Sequence, residues 1–160
     1  MPEWCLRFGI VPLANQQPIS REEAAAYTEQ LLALGTAHGI DRIGVAPATT
    51  MQRARETLHA RKSLGLHDTM QFTYRNPDRS TNPQVSVPNA QAMIVGACSY
   101  ATDAPPAPLQ LSARVARYAW ANYYESLREG LGVVSDALRA DGWNAQVFVD
   151  HNALVDRESA

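Results

Sequence analysis

The stretch QAMIVGACSY, residues 91–100, constrains the fold more than any other part of the sequence. Its apolar side chains follow one another without the alternation of a half-exposed strand, so it predicts a strand in a sheet covered on both faces. Further strands are predicted at IDRIGVA, 40–46, and at NAQVFVD, 144–150. The order of helices and strands predicts an α/β or α+β fold, a single layered sheet with flanking helices.

Helical patterns separate these strands. The first helix begins at the capping box SREE, 20–23, and is expected to end near Gly35 to Gly39. A second helix is predicted over about 50–64 and a third over about 121–140.

Two segments are rich in proline and polar residues. We interpret residues 66–90 as an ordered loop that covers one side of a ligand site, because loops of this length in a compact domain are usually functional or disordered. Residues 105–113 predict a turn-rich connector.

The composition restricts the class of protein. The chain has 160 residues, of which 46% are hydrophobic and 19% charged, as is typical of one globular domain. We expect an irregular leader at 1–18, without a signal-peptide pattern, and one domain at 19–160. A net charge of −2 gives no overall attraction to nucleic acid, and the short apolar runs predict a soluble cytoplasmic protein.

Side chains that commonly bind metals are few and scattered. The two cysteines, Cys5 and Cys98, and four histidines without ligand-like spacing predict that this chain holds no metal. Cys98 lies in the apolar run and is expected to be a buried, inert thiol.

The stretch ARYAWANYYESLR, 116–128, concentrates aromatic and cationic groups. Such a set can bind a flat ligand or a nucleobase through stacking and cation–π contacts, and its members are Arg117, Tyr118, Trp120, Tyr123 and Tyr124. The alternative is that these rings fill the core at the start of a helix.

The stretch VFVDHNALVDR, 147–157, places polar residues directly after a predicted strand. Open sheets bind ligands at such positions, which favours Asp150 as an acid at the floor of a pocket. Alternatively, Asp150 and Asn152 cap a following helix, and Asp156 pairs with a cation.

Three longer stretches occur in an order and at a spacing that a known family shares. They are HARKSLGLHDTMQFTYRNPDRSTNPQVSVPNAQAMIVGACSY, ARYAWANYYESLREGL and FVDHNALVDR. From about residue 24 to the end, the chain resembles the N-terminal half (DUF1730-like) of the epoxyqueuosine reductase family. This family performs the last step of queuosine synthesis, a tRNA modification.

The resemblance implies a cobalamin-binding domain similar to that of reductive dehalogenases. In the family, cobalamin reduces the epoxide of epoxyqueuosine in the tRNA anticodon loop, with electrons from two [4Fe–4S] clusters in the C-terminal half. A monomeric enzyme that does not bind membranes is expected. Asp150 occupies the position of the family's proton donor. The residues expected to bind the cofactor are Arg75, Arg117, Tyr118, Trp120, Tyr123 and Asn152.

The sequence also departs from the family. His151 and Asn152 stand where the family favours small residues, and residues 121–124 replace its G-x-D-Y-H pattern. Two cysteines cannot hold a [4Fe–4S] cluster, so we expect a fragment, truncated before the iron–sulfur domain and inactive alone. The alternatives are a non-catalytic corrinoid-binding module, a divergent paralogue with another substrate, and a remnant that binds nothing.

Overall fold

A computed structural model of the protein describes residues 20–69, 71–101, 103 and 113–149. The expected leader and most of the 105–113 connector lie outside these residues. The elements follow in the order α1 (Arg21–Ala37), β1 (Arg42–Pro47), α2 (Gln52–Ser63), α3 (Phe72–Arg75), α4 (Pro77–Ser80), α5 (Pro83–Ser86), β2 (Ala92–Ala97), a 3-10 helix (Arg117–Ala119) and α6 (Tyr123–Ala140). The fold is a mixture of helices and a small sheet, which agrees with the predicted α+β class.

Helix α1 begins as the sequence predicts. The Ser20 hydroxyl accepts a hydrogen bond from the Glu23 N–H at 3.2 Å, and the Glu23 carboxylate accepts one from the Ser20 N–H at 2.7 Å. This capping box satisfies two of the N–H groups that a helix start leaves without partners. The helix ends at Ala37, just before Gly39, whose φ of 88° suits glycine.

The sheet has two strands among the described residues. β1 and β2 are antiparallel, and Ile43 pairs with Gly96 in their register. Both strands are thus confirmed, although each is shorter than predicted. The interior of β2 is half-buried, so the expectation of a sheet fully covered on both faces is wrong for the described protein.

The third predicted strand is wrong over residues 144–149, which form no strand. The Ala145 carbonyl, which a strand would offer to a neighbour, accepts bonds from the Arg139 Nε at 3.0 Å and Nη2 at 2.7 Å. The Trp143 N–H donates to the Leu138 carbonyl at 2.9 Å. Both contacts hold the segment against the end of α6 instead of in a ladder.

The core forms where α1 and α6 pack on the sheet around Ile40, which is 1% exposed. Gly96 of β2 and Gly130 of α6 both approach Ile40. A Cβ on Gly130 would lie 2.8 Å from the His38 carbonyl oxygen and 2.8 Å from Ile40 Cγ1. Such close packing of α6 on the connection between α1 and β1 therefore requires a residue without a side chain at position 130.

Residues 66–90 contain the three short helices α3, α4 and α5, rather than the loop that the composition predicts. α4 and α5 each begin at a proline, after Asn76 and Asn82. Both asparagine side chains accept a backbone N–H at 3.1 Å, as N-caps do. The contact of this segment with a ligand stays a prediction.

The last helix, α6, agrees with the predicted span of 121–140, and Gly142, with a φ of 86°, follows its end. Across the described ranges, every helix is too short or too polar to cross a membrane.

Candidate functional site

Three tyrosine rings meet at one end of the sheet, and we name them the tyrosine cluster: Tyr100, Tyr118 and Tyr123. The Tyr100 centroid lies 6.4 Å from that of Tyr118, edge to face, and 6.2 Å from that of Tyr123. These separations fall in the range of attractive aromatic pairs. Tyr100 is 51% exposed and Tyr118 is 61% exposed, so ring surface remains open to solvent.

Different elements bring these rings together. Tyr100 follows β2, and the chain there is fixed by the Asp41 carboxylate, which accepts the Ser99 N–H at 2.6 Å. Tyr118 lies in the 3-10 helix, and Tyr123 is the first residue of α6. The cluster therefore joins the end of the strongest predicted strand to the start of the longest helix.

The aromatic-rich stretch is only partly a core element. Tyr123 is half-buried, whereas Tyr118 and Tyr124 expose 61% and 50% of their surface. Large exposed aromatic surface is costly unless a partner covers it. The stretch thus leaves aromatic surface exposed at the start of a helix, and its binding of a ligand stays a prediction.

Trp120 and Arg117 lie beside the cluster in sequence. The Trp120 Nε1–H donates to the Val115 carbonyl at 3.0 Å, which fixes the indole while 42% of the residue stays exposed. Arg117 is half-buried at the first position of the 3-10 helix. The ring contacts found in the described residues do not include Trp120.

Arg75 lies at the end of α3, in another part of the fold. Its carbonyl accepts the Lys62 ammonium at 3.1 Å, and its side chain is exposed. The structure does not link it to the tyrosine cluster, and its role in cofactor binding stays a prediction.

An ion-pair cluster lies close to Arg75 in the sequence. Asp78 accepts bonds from the Arg55 Nε at 2.6 Å and the His59 Nε2 at 3.2 Å. The hydrogen bond from His59 holds the pKa of Asp78 below its ordinary value, and Arg55 acts in the same direction.

Asp150 and Asn152 lie outside the described residues. The strand expected to lead into Asp150 does not form over residues 144–149. The described structure therefore does not support the prediction that this acid follows a strand end. Val149, directly before it, is buried at 4% exposure.

Tyr100, which completes the cluster, is not among the site residues predicted from the sequence. Its position three residues after the end of β2 was the available signal, because residues that follow strand ends often line ligand sites.

Within the described ranges, no group of three or more His, Cys, Asp or Glu side chains could hold a metal ion. Cys98 is half-buried rather than buried, and its thiol donates to the Gly39 carbonyl at 3.3 Å.

Comparison with protein families matches residues 80–151 to the model described as epoxyqueuosine reductase QueG, DUF1730. The match contains the whole tyrosine cluster, Arg117, Trp120 and Asp150, and does not reach Arg75. Comparison with curated proteins gave no match, and neither did comparison with solved structures. Residues 80–151 are therefore similar to the DUF1730 region of epoxyqueuosine reductases, which confirms the family resemblance predicted from the sequence.

Proposed function

We propose that this chain provides the N-terminal, cobalamin-binding part of an epoxyqueuosine reductase-like activity that converts epoxyqueuosine to queuosine in the tRNA anticodon loop. The observation that carries the proposal is the family match at residues 80–151, because it contains the exposed tyrosine cluster. The chain is then an enzyme part that requires an iron–sulfur part to act.

The tyrosine cluster fits a cofactor of this kind. A corrin is a large, nearly flat macrocycle with amide side chains, so it offers both a surface for ring contacts and groups that hydrogen-bond to hydroxyls. The exposed rings of Tyr100 and Tyr118, with the half-exposed Trp120, supply apolar surface with polar tips. Arg117 adds a guanidinium that can donate to an amide oxygen.

When bound, cobalamin would supply the reducing cobalt centre. The clusters that reduce it must be held by cysteines outside this sequence, which contains two.

We propose that the carboxyl group of Asp150 donates a proton to the epoxide oxygen as the C–O bond breaks. A carboxylic acid must be protonated to serve in this way, and desolvation next to a bound ring favours its neutral form.

A cobalamin titration tests the binding proposal. We expect the 160-residue chain to bind with a dissociation constant well above ~1 µM, since the family encloses the corrinoid from both sides. Tyr118→Ala should weaken binding by roughly 5- to 150-fold, the equivalent of about 1–3 kcal/mol of lost stacking. Absorbance changes of the corrin, followed up to millimolar cobalamin, measure both constants.

Tyr124→Ala is the matched control, because Tyr124 has similar exposure but makes no ring contact with the cluster in the described structure. Equal losses in the two variants would contradict the assignment of the site. Binding tighter than ~1 µM by the wild-type chain would instead favour a self-sufficient corrinoid-binding module.

A further inference from the structure

Asp41 lies at the end of the sheet from which Tyr100 extends. It directly precedes β1, next to the terminal pair of the ladder, Arg42 and Ala97. The Asp41 N–H donates to the Ala97 carbonyl at 3.1 Å. Its carboxylate accepts the Ser99 N–H at 2.6 Å. A side chain therefore continues the hydrogen bonding between the two strands beyond their last backbone pair.

The position of Asp41 is itself fixed. Its N–H and its carboxylate both bond to the chain at the end of β2, and its carbonyl accepts the Arg42 Nη1–H at 2.9 Å. A hydrogen bond from a backbone N–H to a carboxylate is shorter and stronger than one between neutral groups. Asp41 thus presents a fixed, strong acceptor to the residue that precedes Tyr100.

The residues on both sides of Tyr100 make further contacts. The Ser99 hydroxyl oxygen accepts the Ala101 N–H at 3.1 Å. One residue before Ser99, the Cys98 thiol donates to the Gly39 carbonyl at 3.3 Å. The bond from the Ser99 N–H to the carboxylate is the shortest of this set, so it contributes most to the path of the chain at Tyr100.

The other two rings of the tyrosine cluster lie on elements that Asp41 does not contact by hydrogen bonds in the described structure. Tyr118 lies in the 3-10 helix, and Tyr123 begins α6. Tyr100 has a ring contact with each of them, at 6.4 Å and 6.2 Å. A change at Asp41 should therefore move the ring that joins the cluster and leave the other two in place.

We propose that Asp41 is a positioning residue for the tyrosine cluster. Its hydrogen bond to Ser99 holds the Tyr100 ring where it can contact a flat ligand together with Tyr118. A ring that is fixed before the ligand binds avoids the loss of affinity that ordering it would cause. The positioning follows from the contacts above, and the corrin as the ligand rests on the proposed function.

Replacement of Asp41 by alanine in the full 160-residue chain tests this inference with two measurements. The affinity for cobalamin should fall by about 3- to 5-fold, the size of the net contribution of one solvent-exposed hydrogen bond. The near-UV circular dichroism of the ligand-free chain should change, because the tyrosine rings lose their fixed arrangement. Asp41→Asn keeps an acceptor oxygen and should restore both signals towards those of the wild type.

A double variant distinguishes positioning from a general structural role. If Asp41 acts through Tyr100, then Asp41→Ala should change neither the affinity nor the near-UV spectrum when Tyr100→Leu is already present. Equal effects of Asp41→Ala with and without the Tyr100 ring would overturn the inference. Urea unfolding of each variant measures the stability separately.

Asp136→Ala is the matched control, because it also removes one exposed aspartate that makes a single ion pair, to Arg139 at 3.0 Å. Asp136 lies towards the C-terminal end of α6, whereas Tyr123 begins this helix. The control should keep the wild-type affinity and near-UV spectrum. An Asp41→Ala chain that matches the control in both measurements would overturn the inference.

The near-UV spectrum of the ligand-free chain separates this inference from the proposed function. A spectral change in Asp41→Ala that requires Tyr100, in a chain that does not bind cobalamin, would support the positioning and refute the proposed function alone. Cobalamin binding that Tyr118→Ala weakens more than Tyr124→Ala does, but that Asp41→Ala leaves unchanged together with the spectrum, would refute the role of Asp41 alone.

Discussion

Replacement of Gly130 by alanine tests the close packing of α6 on His38 and Ile40. The added Cβ would lie 2.8 Å from the His38 carbonyl oxygen and 2.8 Å from Ile40 Cγ1. His38 is the C-cap of α1, and Ile40 is 1% exposed, so neither atom can move without shifting the packing of α1 or the core. We expect Gly130→Ala to destabilise the protein.

Gly132 provides a control within the same helix. A Cβ at this position meets no atom within 4 Å, so Gly132→Ala gains the helix propensity of alanine without a clash. That gain is about 1 kcal/mol of unfolding free energy. Gly130→Ala has the same gain, but overpacking costs about 1–3 kcal/mol. The two variants should therefore differ by about 2 kcal/mol, with Gly132→Ala the more stable.

Urea and thermal unfolding, followed by far-UV circular dichroism, measure this difference. At about 2–4 °C per kcal/mol for a chain of this size, the melting temperatures should differ by roughly 4–8 °C. Unchanged urea m-values would show that the folded state keeps its compactness. Equal stabilisation by both substitutions would refute the close packing of α6 on Ile40.

Two further predictions concern single ionisable groups. Burial, followed by the hydrogen bond to Asp141 at 2.8 Å, raises the pKa of Tyr27 to about 12, above its ordinary 10.0. The proton on Tyr27 therefore stabilises the folded state fully below about pH 10, and this stabilisation is lost as the pH rises towards about 12. The free energy of unfolding of Tyr27→Phe, measured with urea, should fall less steeply over this pH range than that of the wild type. In an assay of epoxyqueuosine-tRNA reduction with a compatible iron–sulfur half supplied, Asp150→Asn should lower turnover by on the order of 10²–10⁴-fold while cobalamin binding persists. Near-full turnover there, with Asp156→Asn inactive, would move the acid to Asp156.

The helix ends were predictable from the sequence because their signals are local. The capping box at Ser20 and the glycines after α1 and α6 act within one turn, and the structure keeps all three. The predicted strand at 144–149 does not form because the Arg139 guanidinium donates to the Ala145 carbonyl, which a strand would pair with a neighbour. A hydrogen bond between residues six positions apart does not change the periodicity of the hydrophobic residues, so the sequence pattern does not predict it.

The short helices α4 and α5 show a similar limit. Their asparagine–proline pairs are correct start signals, but four residues are too few for a helical period to emerge. Within the candidate site, Tyr118 and Tyr123 were predictable because they are neighbours in sequence. Tyr100 was not, since it reaches them only through the packing of β2 against α6.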